Sequence, residues 1–246
     1  MPISPDQQAE IDALRAEPKQ TLRAVSEGME AHLYKAIPVL DHGFVRVIDY
    51  MGDDAAILPF TDAANVACGF HASDPVVMRR TVRMAKEHGV AVGAHPSLPD
   101  LQGFGRREMK LEPDELSAAI VYQVGALKAF LDAEGMALNH IKPHGALYAM
   151  AARDEKVAGA ICDAADVFGV PLYGLADTVH ERVYTARGLP FVAEFYADLD
   201  YTAEGRIIIT REHEAIDPAA AAARTLRAVT EGRVTTIDGG EIAIRA

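Results

Sequence analysis

Residues 139–148 place two histidines, a lysine, an asparagine and a tyrosine within ten positions. An apolar stretch precedes them, Pro143 cannot continue a central strand, and Gly145 permits a sharp turn into a helix-like run. Polar groups that follow a strand and precede a helix lie where α/β proteins bind their ligands. For either histidine alone a packing role is the better explanation, but the pair together with Lys142 and Tyr148 indicates a site.

Two further histidines, His71 and His95, each follow a strand of small residues and precede a turn that contains proline. If they converge with His140 and His144, the imidazoles could transfer protons near neutral pH or bind a divalent metal. The spacing of His140 and His144 suits one face of a helix, but Pro143 argues against a helix there, so no zincin motif is present. We therefore favour proton transfer and keep His71, His95 and His144 as metal candidates.

Charged residues in two other places are candidates for binding substrate. Arg106 and Arg107 follow two glycines in a long loop, a pattern suited to holding carboxylate or phosphate oxygens. Glu194 and Asp198 follow a late strand, where a carboxylate could act as a base. The sequence has no Walker-type phosphate loop. Cys68 invites a cysteine nucleophile hypothesis, but a lone cysteine on an apolar strand is usually a small buried hydrophobe.

From about residue 61 the chain alternates strand and helix signals, and several of the predicted strands end in these polar residues. Such repeats predict a mostly parallel sheet that is closed, or nearly closed, as a barrel. The first predicted strand is 43–50. Residues 1–42 are polar with helical spacing and predict an N-terminal helical extension, so we expect two parts, 1–42 and a barrel-like domain over 43–246.

Composition excludes some classes of function. The net charge of −12 gives no basic footprint for nucleic acid or an anionic membrane. We find no apolar run that approaches a membrane span and no signal peptide, and the two cysteines form no disulfide framework. We therefore expect a cytoplasmic protein.

Five segments carry a resemblance to a known family: "ANVACGFHASDP", "GVAVGAHPSLPDLQGFGRREM", "YQVGALKAF", "HIKPHGALY" and "EFYADLDY". From about residue 52 onward the chain resembles the LamB/YcsF family, the 5-oxoprolinase A subunits. The resemblance implies a distorted (β/α) barrel like the glycoside hydrolase/deacetylase barrels. It also implies ATP-dependent opening of 5-oxoproline to L-glutamate, with Mg²⁺ accompanying ATP and with PxpB- and PxpC-like partner subunits.

On this resemblance we assign hypothetical roles. Proton transfer or water positioning is assigned to His71, His95, His140, His144 and Asp198. Binding of substrate or phosphate is assigned to Asn65, Arg106, Arg107, Lys142, Tyr148 and Glu194.

The N-terminal part departs from the family. The usual first strand, resembling D-L-N-x-D-L-G-E, is absent, and residues 1 to about 57 resemble the start of a flavin-dependent thymidylate synthase, as in a fusion. That synthase's later motifs are absent, so we infer no thymidylate chemistry. Asp49 is a possible substitute for a lost carboxylate. Two alternatives stay open: a metal-dependent deacetylase-like hydrolase that uses the same histidines, and a catalytically silent binding subunit.

Overall fold

A computed structural model describes residues 47–49, 58, 61–208 and 217–245 of the chain. The predicted helical extension over 1–42 lies outside these residues. So does the thymidylate synthase-like segment, apart from the backbone of 47–49.

The described part alternates strands and helices, as the sequence predicts. The elements in chain order are β1 Val47–Asp49, β2 Ala63–Ala67, α1 Pro75–His88, β3 Ala91–His95, α2 Pro113–Ala133, β4 Leu138–Ile141, α3 Gly145–Ala151, α4 Glu155–Asp166, β5 Leu172–Gly174, α5 Val179–Ala186, β6 Phe191–Ala193, α6 Pro218–Glu231, β7 Arg233–Thr235 and β8 Glu241–Ala243.

Strands β1 to β6 form one sheet in sequential order, and each strand pairs in parallel with the next. The connections between β2 and β6 each contain at least one helix. This repeated strand–helix order confirms the predicted α/β fold with a barrel-like parallel sheet. Because all six strands run the same way, their carboxyl ends meet at one edge, and the polar residues that follow them are brought together there.

Local chemistry explains where α1 begins and ends. The Asp74 carboxylate caps the helix by accepting the backbone N–H groups of Val76 and Val77 at 2.7 and 2.8 Å. Pro75 occupies the first turn, where no N–H is needed, and Gly89 ends the helix with a left-handed φ of 69°. Aspartate, proline and glycine at these positions are the ordinary start and stop signals of a helix.

Helix α2 packs against the sheet through one stripe of buried side chains: Leu116, Ile120, Gln123, Val124, Leu127 and Leu131. Contrary to our expectation, its 21 residues are long and apolar enough, by length and composition, to cross a membrane. One such helix is weak evidence for a membrane span, because the core helix of a soluble protein meets the same test. Here the spacing of the buried stripe matches a single helix face that contacts the core.

A feature missed by the sequence analysis is the antiparallel hairpin of β7 and β8 near the end of the described chain. Each of its strands has only three residues, too short for a clear alternating pattern. The hairpin brings residues 242–245 next to the segments that follow β5 and β6.

Candidate functional site

Three of the predicted histidines meet at the carboxyl ends of the strands. His95 is the last residue of β3, His71 lies in the loop after β2, and His144 directly precedes α3. All three are buried, and one ligand nitrogen from each lies within 4.8 Å of the others. The His71 and His144 rings stack at 3.8 Å, and the His95 ring meets His144 edge-on at 4.8 Å. This His71–His95–His144 group, called the histidine cluster below, is able to hold a metal ion.

In two of these rings, one nitrogen contacts a backbone carbonyl oxygen. We call this the outer nitrogen, and the other the inner nitrogen. His95 Nδ1 lies 2.6 Å from the carbonyl oxygen of Lys142, and His144 Nε2 lies 2.8 Å from that of Phe104. A carbonyl oxygen only accepts, so both ring nitrogens must donate their N–H. The inner nitrogens, His95 Nε2 and His144 Nδ1, face each other at 3.0 Å. In neutral rings of these tautomers both inner nitrogens carry lone pairs.

The loop over the histidine cluster is held by Asp100, a residue that the sequence analysis did not select. The buried Asp100 carboxylate accepts the Gly103 N–H at 3.0 Å and binds the Arg107 guanidinium through Nε at 2.8 Å and through a second guanidinium nitrogen. The Arg107 hydrogen bonds hold the pKa of Asp100 below its usual value. The anchored loop presents the Phe104 carbonyl to His144, so Asp100 positions the cluster indirectly.

Gly105 makes this close approach possible. Its φ of 67° is in the left-handed region, and a Cβ there would come within 2.8 Å of His144 Cδ2. Its carbonyl accepts the Ala146 N–H at 2.9 Å, which ties the loop to α3.

The two adjacent arginines, predicted together as anion binders, differ in the structure. Arg107 is committed to Asp100, so it stabilises the loop. Arg106 is half-buried, and its guanidinium carbon lies 5.4 Å from the centre of the Phe104 ring. Burial lowers the pKa of Arg106, which is the usual effect of desolvation on a cation. The two adjacent arginines therefore have different surroundings, Arg107 on Asp100 and Arg106 beside Phe104.

His140 on β4 and Asn65 on β2 are also predicted site residues, and their buried side chains contact each other. His140 Nε2 lies 2.6 Å from Asn65 Oδ1, and both side chains are fully buried. The His140 ring stacks on Tyr173 at 3.9 Å. Asn65 pairs in register with Gly93 on β3, whose missing side chain leaves room for the His140 ring to reach across. On the other side Asn65 is in register with Asp49 of β1.

Lys142, Glu194 and Tyr148 belong to a second buried group beside the cluster. Lys142 Nζ lies 3.5 Å from Glu194 Oε2, with each side chain at most 2% exposed. The ammonium also lies 4.8 Å from the centre of the Tyr196 ring, and the Tyr196 hydroxyl lies 3.4 Å from Glu194 Oε1. Burial and then the negative charge of Glu194 raise the pKa of Tyr148 well above its usual value. Lys142 is therefore held inside the protein and does not reach solvent.

A cavity of about 230 Å³ reaches Glu194 from the protein surface. Its other walls are residues 175–178 after β5, residues 203–205, and residues 242–245 of the C-terminal hairpin. Pockets for drug-sized ligands run from about 300 to 1,000 Å³, so this volume suits a smaller molecule. The cavity lies at the carboxyl end of the sheet but opens beside Glu194, not beside the histidine cluster.

Asp198 and Cys68 complete the predicted residues. Asp198 is half-buried in the segment after β6, near enough to Tyr201 to influence it electrostatically, and it does not belong to the histidine cluster. Cys68 is buried, and burial raises the pKa of its thiol to about 12, so the thiolate needed for a nucleophile is disfavoured. The prediction that Cys68 is a small buried hydrophobe agrees with this environment.

His180 is a fully buried histidine that the sequence analysis missed. Its Nδ1 accepts the Leu175 N–H at 3.2 Å, and its Nε2 donates to the Tyr148 carbonyl at 3.0 Å. Burial lowers the pKa of His180 to about 4. It therefore stays neutral and joins α5 to α3. Its position in the mixed polar and apolar helix VHERVYTA gave no sequence signal for this role.

Fold and site together define a class: an α/β protein with a parallel, barrel-like sheet and buried histidines, a lysine and a carboxylate at the carboxyl ends of its strands. Comparison with known families is more specific, since residues 44–246 match the LamB/YcsF family. The chain belongs to the LamB/YcsF family. The match begins at residue 44, somewhat before the position near 52 expected from the sequence.

Individual relatives support this membership. Lactam utilization protein lamB of Emericella nidulans is 50% identical over 188 residues, covering 76% of this chain and 74% of that protein. The 5-oxoprolinase A subunit of Chloroflexus aggregans is 50% identical over 200 residues, covering 80% and 79%. The crystal structure of the lactam utilization protein from Thermus thermophilus superposes with a TM-score of 0.75 at 43% identity, covering 94% and 87%.

Proposed function

We propose that this chain is the A subunit of a 5-oxoprolinase and takes part in the ATP-dependent opening of 5-oxoproline to L-glutamate. The observation that carries the proposal is the similarity, at about half of all positions over most of both chains, to proteins named as the A subunits of 5-oxoprolinases. The word subunit in those names supports a complex, and we propose PxpB- and PxpC-like partners. We also propose that ATP is used together with Mg²⁺, and that the protein works in the cytoplasm, where both are available.

The chemistry needs an activated carbonyl, because the nitrogen lone pair makes a lactam a poor electrophile. In the proposed sequence the γ-phosphoryl group of ATP moves to the lactam oxygen, which forms an O–P bond and releases ADP. Water then adds to the carbon, the C–N bond breaks, and the nitrogen leaves as the protonated amine. A second water cleaves the resulting acyl phosphate to L-glutamate and phosphate.

The buried polar groups suit these steps. The histidine cluster would position the attacking water, and His140 would return a proton to the leaving nitrogen. Arg106 would meet the phosphate or the substrate carboxylate as a charge-assisted donor. Lys142 is already paired with Glu194, so we propose that this pair and Tyr148 orient the substrate, with Asn65 acting through His140. Asp198 remains a proposed proton carrier, and Arg107 supports the loop.

The test is glutamate and ADP formation from 5-oxoproline and ATP with purified PxpB- and PxpC-like partners. An intact 5-oxoprolinase A subunit serves as the positive control. We expect product with this chain, and loss of product with His144→Ala while the circular dichroism spectrum stays unchanged. Normal binding of 5-oxoproline without turnover, beside an active control, would instead identify a catalytically silent subunit. Unchanged turnover in His144→Ala would contradict the role of that histidine.

A metal-dependent hydrolase is the second candidate, and the three convergent histidines favour it. It differs from the first in its requirements, since activity on an amide substrate would need no ATP and would disappear with a chelator. Assaying with and without ATP, each with and without chelator, separates the two candidates.

A further inference from the structure

The two facing nitrogens of the histidine cluster need a positive charge between them. His95 Nε2 and His144 Nδ1 are 3.0 Å apart, and carbonyl oxygens already take the N–H of each ring's other nitrogen. Two neutral imidazoles in these tautomers turn lone pair toward lone pair, which is repulsive. Both rings are buried, so bulk water does little to screen the repulsion.

We propose that the histidine cluster is a binding site for one divalent transition-metal ion of the zinc class. A proton shared by two nitrogens would satisfy His95 and His144 alone. The third imidazole, His71, stacks on His144 and brings its ligand nitrogen into the same 4.8 Å group. Three imidazoles around one point make a ligand set that suits zinc, and among the described residues no fourth His, Cys, Asp or Glu joins them.

The contacts on the far side of the rings support the assignment. A metal-bound histidine commonly donates its other ring N–H to a carbonyl or carboxylate, which orients the ring and makes the metal-binding nitrogen more basic. The carbonyls of Lys142 and Phe104 make this contact to His95 and His144. The Phe104 ring stands nearly perpendicular to the rings of His71 and His144, with centroids 5.2 and 5.0 Å away, so apolar surface borders the site.

The adjustment needed for a metal is small. Zn–N bonds of about 2.1 Å in a tetrahedral site place the ligand nitrogens on the order of 3.4 Å apart. The His95–His144 pair, now at 3.0 Å, must open by a few tenths of an ångström, and the widest separation in the group, at most 4.8 Å, must close. Side-chain rotation of His71 supplies the second change without disturbing either carbonyl contact.

The experiment measures metal rather than activity, so it does not depend on the proposed function. The full chain, made without a histidine tag and stripped by chelator, is titrated with Zn²⁺ and with Co²⁺. We expect one equivalent bound, a rise in melting temperature with Zn²⁺, and the visible absorption of four-coordinate Co²⁺. His95→Ala and His144→Ala should each weaken Zn²⁺ binding by more than about 100-fold. His88→Ala, which changes an exposed histidine on α1, should bind as the wild type does.

Three results would overturn the metal site: less than one equivalent bound, Co²⁺ absorption typical of six-coordinate hydrated ion, or unchanged binding in both cluster variants. If less than one equivalent bound, a proton shared by His95 Nε2 and His144 Nδ1 would explain their 3.0 Å contact. If an alanine variant fails to fold, His144→Asn replaces it, and the wild-type stoichiometry and Co²⁺ spectrum still decide.

Discussion

Gly93 on β3 faces the imidazole ring of His140 on β4 so closely that a single methyl group at position 93 would overlap the ring. This relationship lets His140 reach Asn65, two strands away, at 2.6 Å. Because Asn65 pairs in register with Gly93, the glycine lies next to the contact between His140 and Asn65. A glycine in a strand often marks such a close approach.

Gly93→Ala should therefore destabilise the protein by about 1–3 kcal/mol, the range for overpacked interiors, and displace His140 from Asn65. The free energy of unfolding in urea measures the first effect. Gly125→Ala is the matched control, since Gly125 lies inside α2 with open space at its Cβ position. That control should be neutral or slightly stabilising, by up to about 1 kcal/mol. Equal losses in the two variants would contradict the proposed overlap.

The Lys142–Glu194 pair gives a second prediction. Both side chains are at most 2% exposed, so removing one partner takes a close opposite charge away from a charge that stays buried. Lys142→Met and Glu194→Gln should each lower the free energy of unfolding, by up to about 3–5 kcal/mol. The double variant should lose clearly less than the sum of the two. Additive losses in urea unfolding would show that the two residues do not stabilise each other.

A matched exposed pair controls this experiment. Lys128 and Asp132 lie one turn apart on α2, with their side chains 43% and 59% exposed. The same double-mutant cycle there should give a coupling below about 1 kcal/mol, because water screens the pair.

The sequence carried enough information to predict the strand–helix order, and particular residues explain why. Asp74, Pro75 and Gly89 set the limits of α1 through capping and a left-handed turn, effects that act within a few residues. His71, His95 and His144 could be predicted to converge because parallel strands bring their carboxyl ends to one edge.

The sequence could not predict which side chains contact each other in the folded protein. Nothing in the sequence shows that Lys142 meets Glu194, or that Asp100 binds Arg107 while the Arg106 guanidinium lies over Phe104. His180 was missed because a buried histidine with two backbone contacts resembles any other helical residue in sequence. For the first described strand, 47–49, the structure gives the backbone register with β2. The predicted role of Asp49 as a substitute for a lost carboxylate stays a prediction.

The different environments of the two arginines predict different kinetic effects. Arg106→Ala should raise the KM for 5-oxoproline or ATP by about 10-fold or more with little change in stability, because it removes a donor to an anion. Arg107→Ala should instead release Asp100, loosen the loop and lower kcat, since the Phe104 carbonyl then holds His144 less firmly. Steady-state kinetics with the partner subunits separate the effects. Identical changes in both variants would contradict the division of roles.

His180 predicts how stability depends on pH. Its pKa is about 4 in the folded protein and 6.5 for an unperturbed histidine. Between these values the unfolded chain binds the proton and the folded protein does not, so stability falls as pH falls from 6.5 to 4. Each pH unit in this window costs about 1.4 kcal/mol, so His180 should account for a loss of about 2 kcal/mol between about pH 7 and pH 5.

The measurement is urea unfolding of the wild type and of His180→Gln at both pH values. Glutamine can still accept from the Leu175 N–H and donate to the Tyr148 carbonyl, but it does not titrate. The variant should therefore start less stable at pH 7 and lose about 2 kcal/mol less than the wild type on acidification. His88→Gln, on the exposed face of α1, should keep the wild-type pH dependence. If His180→Gln also keeps it, His180 is not the buried neutral group described above.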